Sequence, residues 1–232
     1  MSISIERAEN NKFDSIDREE ARCILGTTSS TNRIEFTTYE NKVVIKKVFA
    51  RKDGEKYASN EACILRHLAE KTYRTNVVFP RLAKDDIIWD EEGNPCLYIA
   101  PEPKYTPFSA DKSIKLELDG KTAPIKLQNC FKAICVMHTK YSVLHNDLHL
   151  DNIGFLPPYT GSSLIRNMII DFDQSEKCNY LTPREITKDL FIFTKNLLAI
   201  CEEEKSAKQR IREIVLITYH DLIDVDTLFN QL

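Results

Sequence analysis

The spacing of hydrophobic and polar residues changes between the first and second halves of this 232-residue chain. In the first half, short apolar runs are separated by polar, turn-forming residues, which is typical of β-strands. We predict strands at 22–25, 33–39, around 43–46, at 77–82 and at 96–99, with a hairpin turn near Gly93. Apolar residues at helical spacing in 58–68 predict a single helix among them, which Ser59 or Asn60 could cap.

In the second half, most apolar residues recur at helical spacing. Helices are predicted at 126–141, 185–201 and 208–222, with a last turn at 226–232. Short apolar runs at 141–144, 153–156 and 168–170 predict strands, and we interpret 108–124 as a β-hairpin that turns at Asp119-Gly120. The expected fold class is α+β, with a β-rich N-terminal part and a compact, mostly helical C-terminal part.

Two polar motifs follow short apolar runs in the second half. The first contains His145, Asp147 and Asn152, at the spacing of the H-R-D-x-x-x-x-N catalytic loop of protein kinases. The second is Asp171-Phe172-Asp173, which resembles the metal-binding D-F-G without its glycine. In this chemistry Asp147 would accept the proton of the attacking hydroxyl, while Asn152 and Asp171 would hold Mg²⁺, which prefers hard oxygen ligands.

A lysine and a glutamate that such a site requires are present upstream. Residues 43–46 match the V-A-I-K strand, which places Lys46 at the α- and β-phosphates of ATP and makes it a catalytic and nucleotide-binding candidate. Lys47 is its rival, because neighbours on a strand point to opposite faces. Glu61, expected in the first turn of its helix, is the predicted partner of Lys46. Acidic residues are common at helix N-termini in any case.

The loop that would cover the phosphates is short of glycine. It contains Gly26 and the hydroxyls of Thr28, Ser29 and Ser30, which could replace the contacts of a glycine-rich loop. Small polar residues are equally typical of any β-hairpin loop, so this segment supports the assignment only together with the other motifs.

These motifs together resemble the protein-kinase-like superfamily from about residue 22 to about residue 198. The H-x-D-L-H-x-x-N form of the loop is similar to that of aminoglycoside and choline phosphotransferases and of small atypical microbial and viral protein kinases. The chain length, the start of the 58–68 helix and the 188–191 segment are more similar to the small kinase of the KEOPS complex. The resemblance implies a bilobal fold, with an N-lobe at 1–99, a hinge at 100–103 and a C-lobe at 104–232.

The resemblance also implies roles for individual residues. Tyr98, just before the hinge, and Ala100, the first residue of the hinge, would meet the adenine of ATP. His149 stands where Ser/Thr kinases carry a lysine that contacts the γ-phosphate, and Asp189 matches a buried helix aspartate that supports the catalytic loop, as His145 does. The expected cofactors are ATP and Mg²⁺.

Composition narrows the choice of partners and compartment. A net charge of −3 and a pI near 6.0 argue against binding nucleic acid through a basic surface. The seven cysteines form no C-x-x-C pair and are typical of reduced core cysteines. No apolar run approaches the roughly 20 residues that cross a bilayer, and no signal sequence is recognisable. We therefore expect a cytoplasmic protein.

The expected function is an ATP-dependent phosphotransferase with a protein substrate, most similar to a compact Ser/Thr protein kinase, and a partner protein would be compatible with it. Two alternatives stay open. One is a small-molecule kinase, although little sequence is left to enclose an acceptor. The other is a pseudokinase that keeps the fold as a scaffold. This alternative stays open because the phosphate-covering loop has a single glycine and because Asp173 replaces the glycine of D-F-G. The short stretch between Asp173 and the next helix leaves no room for a long activation segment.

Overall fold

The structure is a computed structural model that describes residues 32–71, 76–101, 105–158, 161, 163–201 and 204–232. The strands in chain order are β1 (Asn32–Tyr39), β2 (Lys42–Phe49), β3 (Val77–Val78), β4 (Ile88–Trp89), β5 (Pro95–Ile99), β6 (Thr106–Pro107), β7 (Val143–Leu144), β8 (Ile153–Leu156), β9 (Arg166–Ile169) and β10 (Glu176–Lys177). The α-helices are α1 (Gly54–Glu70), α2 (Lys112–Leu118), α3 (Ile125–Val136), α4 (Pro183–Ala199), α5 (Glu204–Tyr219) and α6 (Val225–Asn230).

The N-terminal lobe is built on an antiparallel sheet with the strand order β1-β2-β5-β4, against which α1 packs. A tight turn joins β1 to β2 through Glu40 and Asn41, which both have positive φ, as the favoured hairpin turns require. The hairpin predicted around Gly93 is confirmed as the β4–β5 connection.

Helix α1 starts earlier than its apolar spacing indicated. It begins at Gly54, so neither Ser59 nor Asn60 caps it, and Glu61 lies in the middle of the helix instead of its first turn. A side chain at position 54 would place its Cβ 2.1 Å from the carbonyl oxygen of Phe49. Glycine therefore allows the helix to start directly beside the end of β2.

A second four-stranded sheet, with the order β3-β9-β8-β6, contains β8, which follows the predicted catalytic loop, and β9, which precedes the 171–173 motif. Its β8 and β9 are antiparallel, whereas β3 pairs with β9 in parallel. The strand predicted at 77–82 is thus reduced to two residues and joins this second sheet. A small pair, β7 with β10, closes the other side of the loop.

The prediction of a β-hairpin at 108–124 is wrong. This segment forms a 3₁₀ turn at Phe108–Ala110 and then α2, whose N-cap Asp111 accepts a hydrogen bond from Ser113 N. Buried Glu117 then accepts hydrogen bonds from the backbone N–H groups of Lys126 and Leu127, at the start of α3. The carboxylate satisfies N–H groups that every helix N-terminus leaves without an intrahelical partner.

The remaining helices agree with the hydrophobic spacing. Helix α3 continues into a π-helical turn at Met137–Tyr141, just before β7. Helix α4 begins with a capping box between Thr182 and Glu185 around Pro183. Helices α3 to α6 surround the larger hydrophobic core, and a smaller core lies between the first sheet, α1 and β9. The described part of the chain contains no helix that is both long and apolar enough to cross a membrane.

Candidate active site

Lys47 is the lysine that faces the junction of the two lobes. Its Nζ donates to Glu61 Oε2 at 2.5 Å and also to Asp171 Oδ1, so one ammonium group connects β2, α1 and the segment after β9. Both Lys47 and Glu61 are almost completely buried. The ring of Phe49 lies 5.0 Å from the same ammonium.

The prediction that Lys46 occupies this position is wrong by one residue. Lys46 pairs with Glu35 in the β1–β2 register, and its Nζ lies 3.8 Å from the Glu35 carboxylate on the outer face of the sheet. Because side chains alternate along a strand, placing Lys46 outward turns Lys47 inward. Glu61 keeps its predicted role as a lysine partner, with Lys47 in place of Lys46.

The three charges at this junction affect one another. Burial disfavours the Lys47 ammonium, but the carboxylates of Asp171 and Glu61 outweigh it and raise the lysine pKa. Burial also raises the pKa of Glu61 to about 7, against the opposing effect of Lys47. For Asp171 the lysine outweighs burial, and the pKa is lowered. One ammonium group thus pairs with two carboxylates. As the pH falls, Glu61 takes up a proton before Asp171 does.

Asp189 on α4 supports the predicted catalytic loop through hydrogen bonds to its backbone. Its carboxylate accepts hydrogen bonds from the backbone N–H groups of His145 (2.8 Å) and Asn146 (2.9 Å), and His138 contacts it at 3.0 Å. His145 is fully buried, and its Nε2 lies 2.8 Å from the Ile170 carbonyl oxygen. Since a carbonyl only accepts, Nε2 carries the proton. Asp189 and His145 therefore occupy the supporting positions predicted for them.

Asp147 projects from this loop with 35 % of its side chain exposed. Burial raises its pKa, with His149 and His145 acting in the opposite direction. Gln174 Nε2 donates to Asp147 Oδ2 at 3.3 Å. Asn146, which directly precedes Asp147, and Asp171 both have positive φ (61° and 65°), a backbone conformation that is uncommon for non-glycine residues and concentrates at functional sites.

Asn152 and His149 are in direct contact. Asn152 Nδ2 donates to the Asp147 carbonyl at 2.9 Å, and the same nitrogen lies 3.1 Å from His149 Nε2. An amide N–H can only donate, so His149 Nε2 accepts and its proton is on Nδ1, which lies 3.8 Å from an Asp151 oxygen. Nε2 also lies 3.7 Å from the Asp147 carboxylate, a neighbour that favours the opposite tautomer. The contact of His149 with the γ-phosphate stays a prediction.

The metal prediction involves Asn152 and Asp171. Because the amide nitrogen of Asn152 carries both hydrogen bonds described above, its oxygen is the end left for a metal ion. The pKa of the Asp171 carboxyl group is lowered, which favours its ionised form, and this is the form that binds Mg²⁺. The described residues contain no cluster of three or more His, Cys, Asp or Glu that would hold a metal without further ligands. Asn152 and Asp171 offer two oxygen donors, so a Mg²⁺ ion held by them would need further ligands.

A cleft lies beside Lys47, between the two lobes. Apolar side chains from both lobes line it together with the charged residues, namely Ile34, Ile45, Pro80, Ile99, Met168 and Ile170. Ala100, which was predicted to meet the adenine of ATP, lines this cleft. Tyr98 does not, because it pairs with Lys46 on the outer face, where its ring contacts that of Tyr39.

The hinge backbone is partly engaged within the N-lobe. The Ala100 N–H donates to the Arg81 carbonyl, and the Tyr98 carbonyl accepts from the Ala83 N–H, both at 2.8 Å. The backbone groups expected to meet adenine therefore have protein partners at these two atoms. The predicted phosphate-covering residues lie outside the described residues; they are Gly26, Thr28, Ser29 and Ser30.

Sequence reasoning missed several polar residues at the junction of the lobes. Asp173 is buried, and its carboxylate accepts from Arg51 and from Asn32 Nδ2. Asn60 donates to backbone carbonyls of the same segment. No local pattern marks these residues, because their contacts join positions more than 100 residues apart. The one local indication in 171–173 was Asp173 itself, which stands where the kinase motif has a glycine.

Comparison with known proteins identifies the fold. No protein-family model matches the chain, and no curated protein is similar to it in sequence. Its structure is similar to that of WaaP in complex with acyl carrier protein, with a TM-score of 0.54, over 93 % of this chain and 90 % of that chain. The sequence identity is 14 %, so the similarity is one of fold. The architecture is the bilobal α+β, kinase-like fold expected from the motifs.

Proposed function

We propose that this chain is an ATP- and Mg²⁺-dependent phosphotransferase that moves the γ-phosphate of ATP to a hydroxyl group. The observation that carries the proposal is the position of Lys47 between Glu61 and Asp171, where it joins both lobes next to a cleft. Phosphoryl transfer depends mainly on positioning and charge neutralisation, which this arrangement would supply.

Each polar residue then has a distinct task. Lys47, oriented by Glu61, would bind the α- and β-phosphates. Asp171 and the amide oxygen of Asn152 would hold Mg²⁺, which neutralises charge on the phosphates when bound. Asp147 would orient the attacking hydroxyl and accept its proton, and its raised pKa favours that role near neutral pH.

The apolar lining of the cleft supports a nucleotide base as its occupant. Side chains from the sheet (Ile34, Ile45) and from the opposite lobe (Met168, Ile170) form two apolar walls. A flat aromatic base would be stabilised by contact with such apolar side chains. Ligand pockets commonly combine such apolar walls with a few placed polar groups.

We propose a protein hydroxyl as the acceptor, which would make the chain a compact atypical Ser/Thr protein kinase. The side chain of Asp147 is one-third exposed. The described helices of the C-lobe pack into the hydrophobic core instead of covering Asp147. An acceptor that brings its own bulk suits such an open site. WaaP, whose fold is similar, has been solved in complex with acyl carrier protein, which supports a protein partner for this fold.

The test is incubation of the purified protein with γ-labelled ATP and Mg²⁺, with three acceptor sets in parallel: a protein mixture, small hydroxyl compounds such as aminoglycosides and choline, and water. Label on a protein Ser or Thr supports the whole proposal. Label on a small molecule supports the phosphotransferase and overturns the protein acceptor. Nucleotide binding without transfer to any set overturns the activity and favours a pseudokinase.

A further inference from the structure

Asp173 occupies the position where the kinase motif has glycine, and its carboxylate is buried at the junction of the lobes, with 4 % of the residue exposed. A buried carboxylate is unfavourable unless it is paired and hydrogen-bonded. Its partners come from the other end of the chain: Arg51 Nη2 donates to Oδ2, and Asn32 Nδ2 donates to the same oxygen at 3.1 Å.

Arg51 is itself held in place by α1. It lies in the connection between β2 and α1, and its guanidinium carbon stands 3.2 Å from the centre of the Tyr57 ring, within the range of cation–π contacts. Tyr57 is on α1, the helix that carries Glu61. The Arg51–Asp173 ion pair therefore attaches the start of α1 to the segment that follows Asp171.

Asn60 makes a second attachment between the same two elements. Its Nδ2 donates to the backbone carbonyls of Asp173 (3.0 Å) and Ser175 (2.8 Å). Asn60 directly precedes Glu61, and Asp173 lies two residues after Asp171. Each carboxylate that contacts Lys47 thus has a neighbour that takes part in this network.

We propose that Asp173, with Arg51 and Asn60, is a positioning residue that fixes α1 to the 171–175 segment. It thereby holds Glu61 and Asp171 around Lys47 without any phosphorylated activation segment. The proposal rests on the proposed phosphotransferase function. Arg51 and Asn32 both donate to Oδ2 of Asp173, so this oxygen already has two protein partners. The rival role of Asp173 is that of a third metal ligand, and the test below distinguishes the two roles.

The kinetic test compares Asp173→Asn, Arg51→Ala and the double variant with wild type, and Arg212→Ala serves as a control because it breaks an exposed ion pair with Asp226. We expect kcat to fall about 10–100-fold in each single variant, as for residues that orient a metal or catalytic ligand. The Mg²⁺ concentration for half-maximal rate should stay within about twofold of wild type. The double variant should be scarcely worse than either single variant, because both break one interaction.

Two kinetic results would overturn the proposal. One is a Mg²⁺ requirement that rises strongly in Asp173→Asn but not in Arg51→Ala, which would make Asp173 a metal ligand. The other is additive loss in the double variant. Arg51→Lys, which keeps the charge, should recover part of the rate.

Hydrogen exchange separates this proposal from the proposed function. Amides of residues 55–65 in α1 should exchange about tenfold or more faster in Arg51→Ala and Asp173→Asn than in wild type or Arg212→Ala, because the helix loses its attachment. Unchanged exchange in folded variants would refute the attachment. If wild type transfers no phosphate but α1 loosens as expected, the proposed function fails and the positional role of Asp173 in the fold stands.

Discussion

Replacing Lys47 by alanine is the most severe test of the assignment of Lys47, instead of Lys46, to the candidate active site. The change leaves the carboxylates of Glu61 and Asp171 close together at a buried junction, without the ammonium group that both contact. Removing one partner of a buried ion pair typically costs about 3–5 kcal/mol. We expect the free energy of unfolding of Lys47→Ala to fall by about that amount near pH 8, and phosphate transfer to fall by orders of magnitude.

The cost should depend on pH in a defined direction. In wild type the folded-state pKa of Glu61 is about 7, above its unfolded value, so the folded state binds the extra proton and stability falls as pH rises up to about 7. Without Lys47 the pKa of Glu61 rises further, and the variant keeps losing stability above pH 7. The difference between the two proteins should therefore keep growing above pH 7, by up to about 1.4 kcal/mol per pH unit.

Urea unfolding at pH 6, 7 and 8 measures this difference, with Lys46→Ala as the matched control. Lys46 loses only its 3.8 Å contact to half-exposed Glu35, which is worth about 0–1 kcal/mol. Glu61→Gln added to Lys47→Ala should remove the extra slope above pH 7 without restoring activity. A damaging Lys46→Ala together with a mild Lys47→Ala would refute the reasoning.

Three further predictions concern the metal, the base and the scaffold. Asp171→Asn should weaken Mg²⁺-dependent nucleotide binding at least tenfold in calorimetry while nucleotide binding without Mg²⁺ changes little; equal losses in both conditions would contradict a metal role. The rate should fall as pH drops through the raised pKa of Asp147. Gln174→Leu removes a hydrogen-bond donor to the ionised carboxylate, so it should move this limb of the pH–rate profile to higher pH. An unmoved limb would argue against the contact between Gln174 and Asp147. Thr182→Ala should lower the free energy of unfolding by about 1 kcal/mol by breaking the capping box with Glu185, as measured by urea denaturation, and no loss would show that the cap is not needed.

The catalytic-loop part of the site could be predicted because its signals are local. His145, Asp147 and Asn152 lie within one short loop, so sequence spacing alone places them together. Asp171 joins them because β9, which ends two residues before it, pairs with β8, the strand that follows the loop. Asp189 follows from the position of its helix. The fold class was predictable for the same reason, since strand and helix periodicities were separated along the chain.

The choice between Lys46 and Lys47 could not be made from the strand itself. Alternation shows that neighbouring lysines face opposite sides, but which side is the cleft depends on contacts with other elements. The β1–β2 register sets Lys46 beside Glu35, and α1 places Glu61 under Lys47. The motif match was one residue out of phase, and only these non-local contacts correct it.

The error at 108–124 had an overlooked local signal. Asp119-Gly120 does form a turn, and Gly120 has a φ of 74°, but the residues before it are helical. Ile114 and Leu118, four residues apart and both fully buried, have helical spacing, and Asp111 is a favourable N-cap. The lobe-joining contacts of Asp173 had no such signal, because their partners are distant in sequence.

The most direct test of the central claim is a single-turnover measurement with γ-labelled ATP and Mg²⁺, comparing wild type with Asp147→Asn. This substitution keeps the shape of the side chain and removes the charge that orients the hydroxyl. The account predicts label transfer to an acceptor by wild type and a loss of at least about a thousandfold in the variant, with ATP affinity and unfolding midpoint nearly unchanged. A variant that retains most of the wild-type rate would contradict the assignment of this loop as the catalytic one.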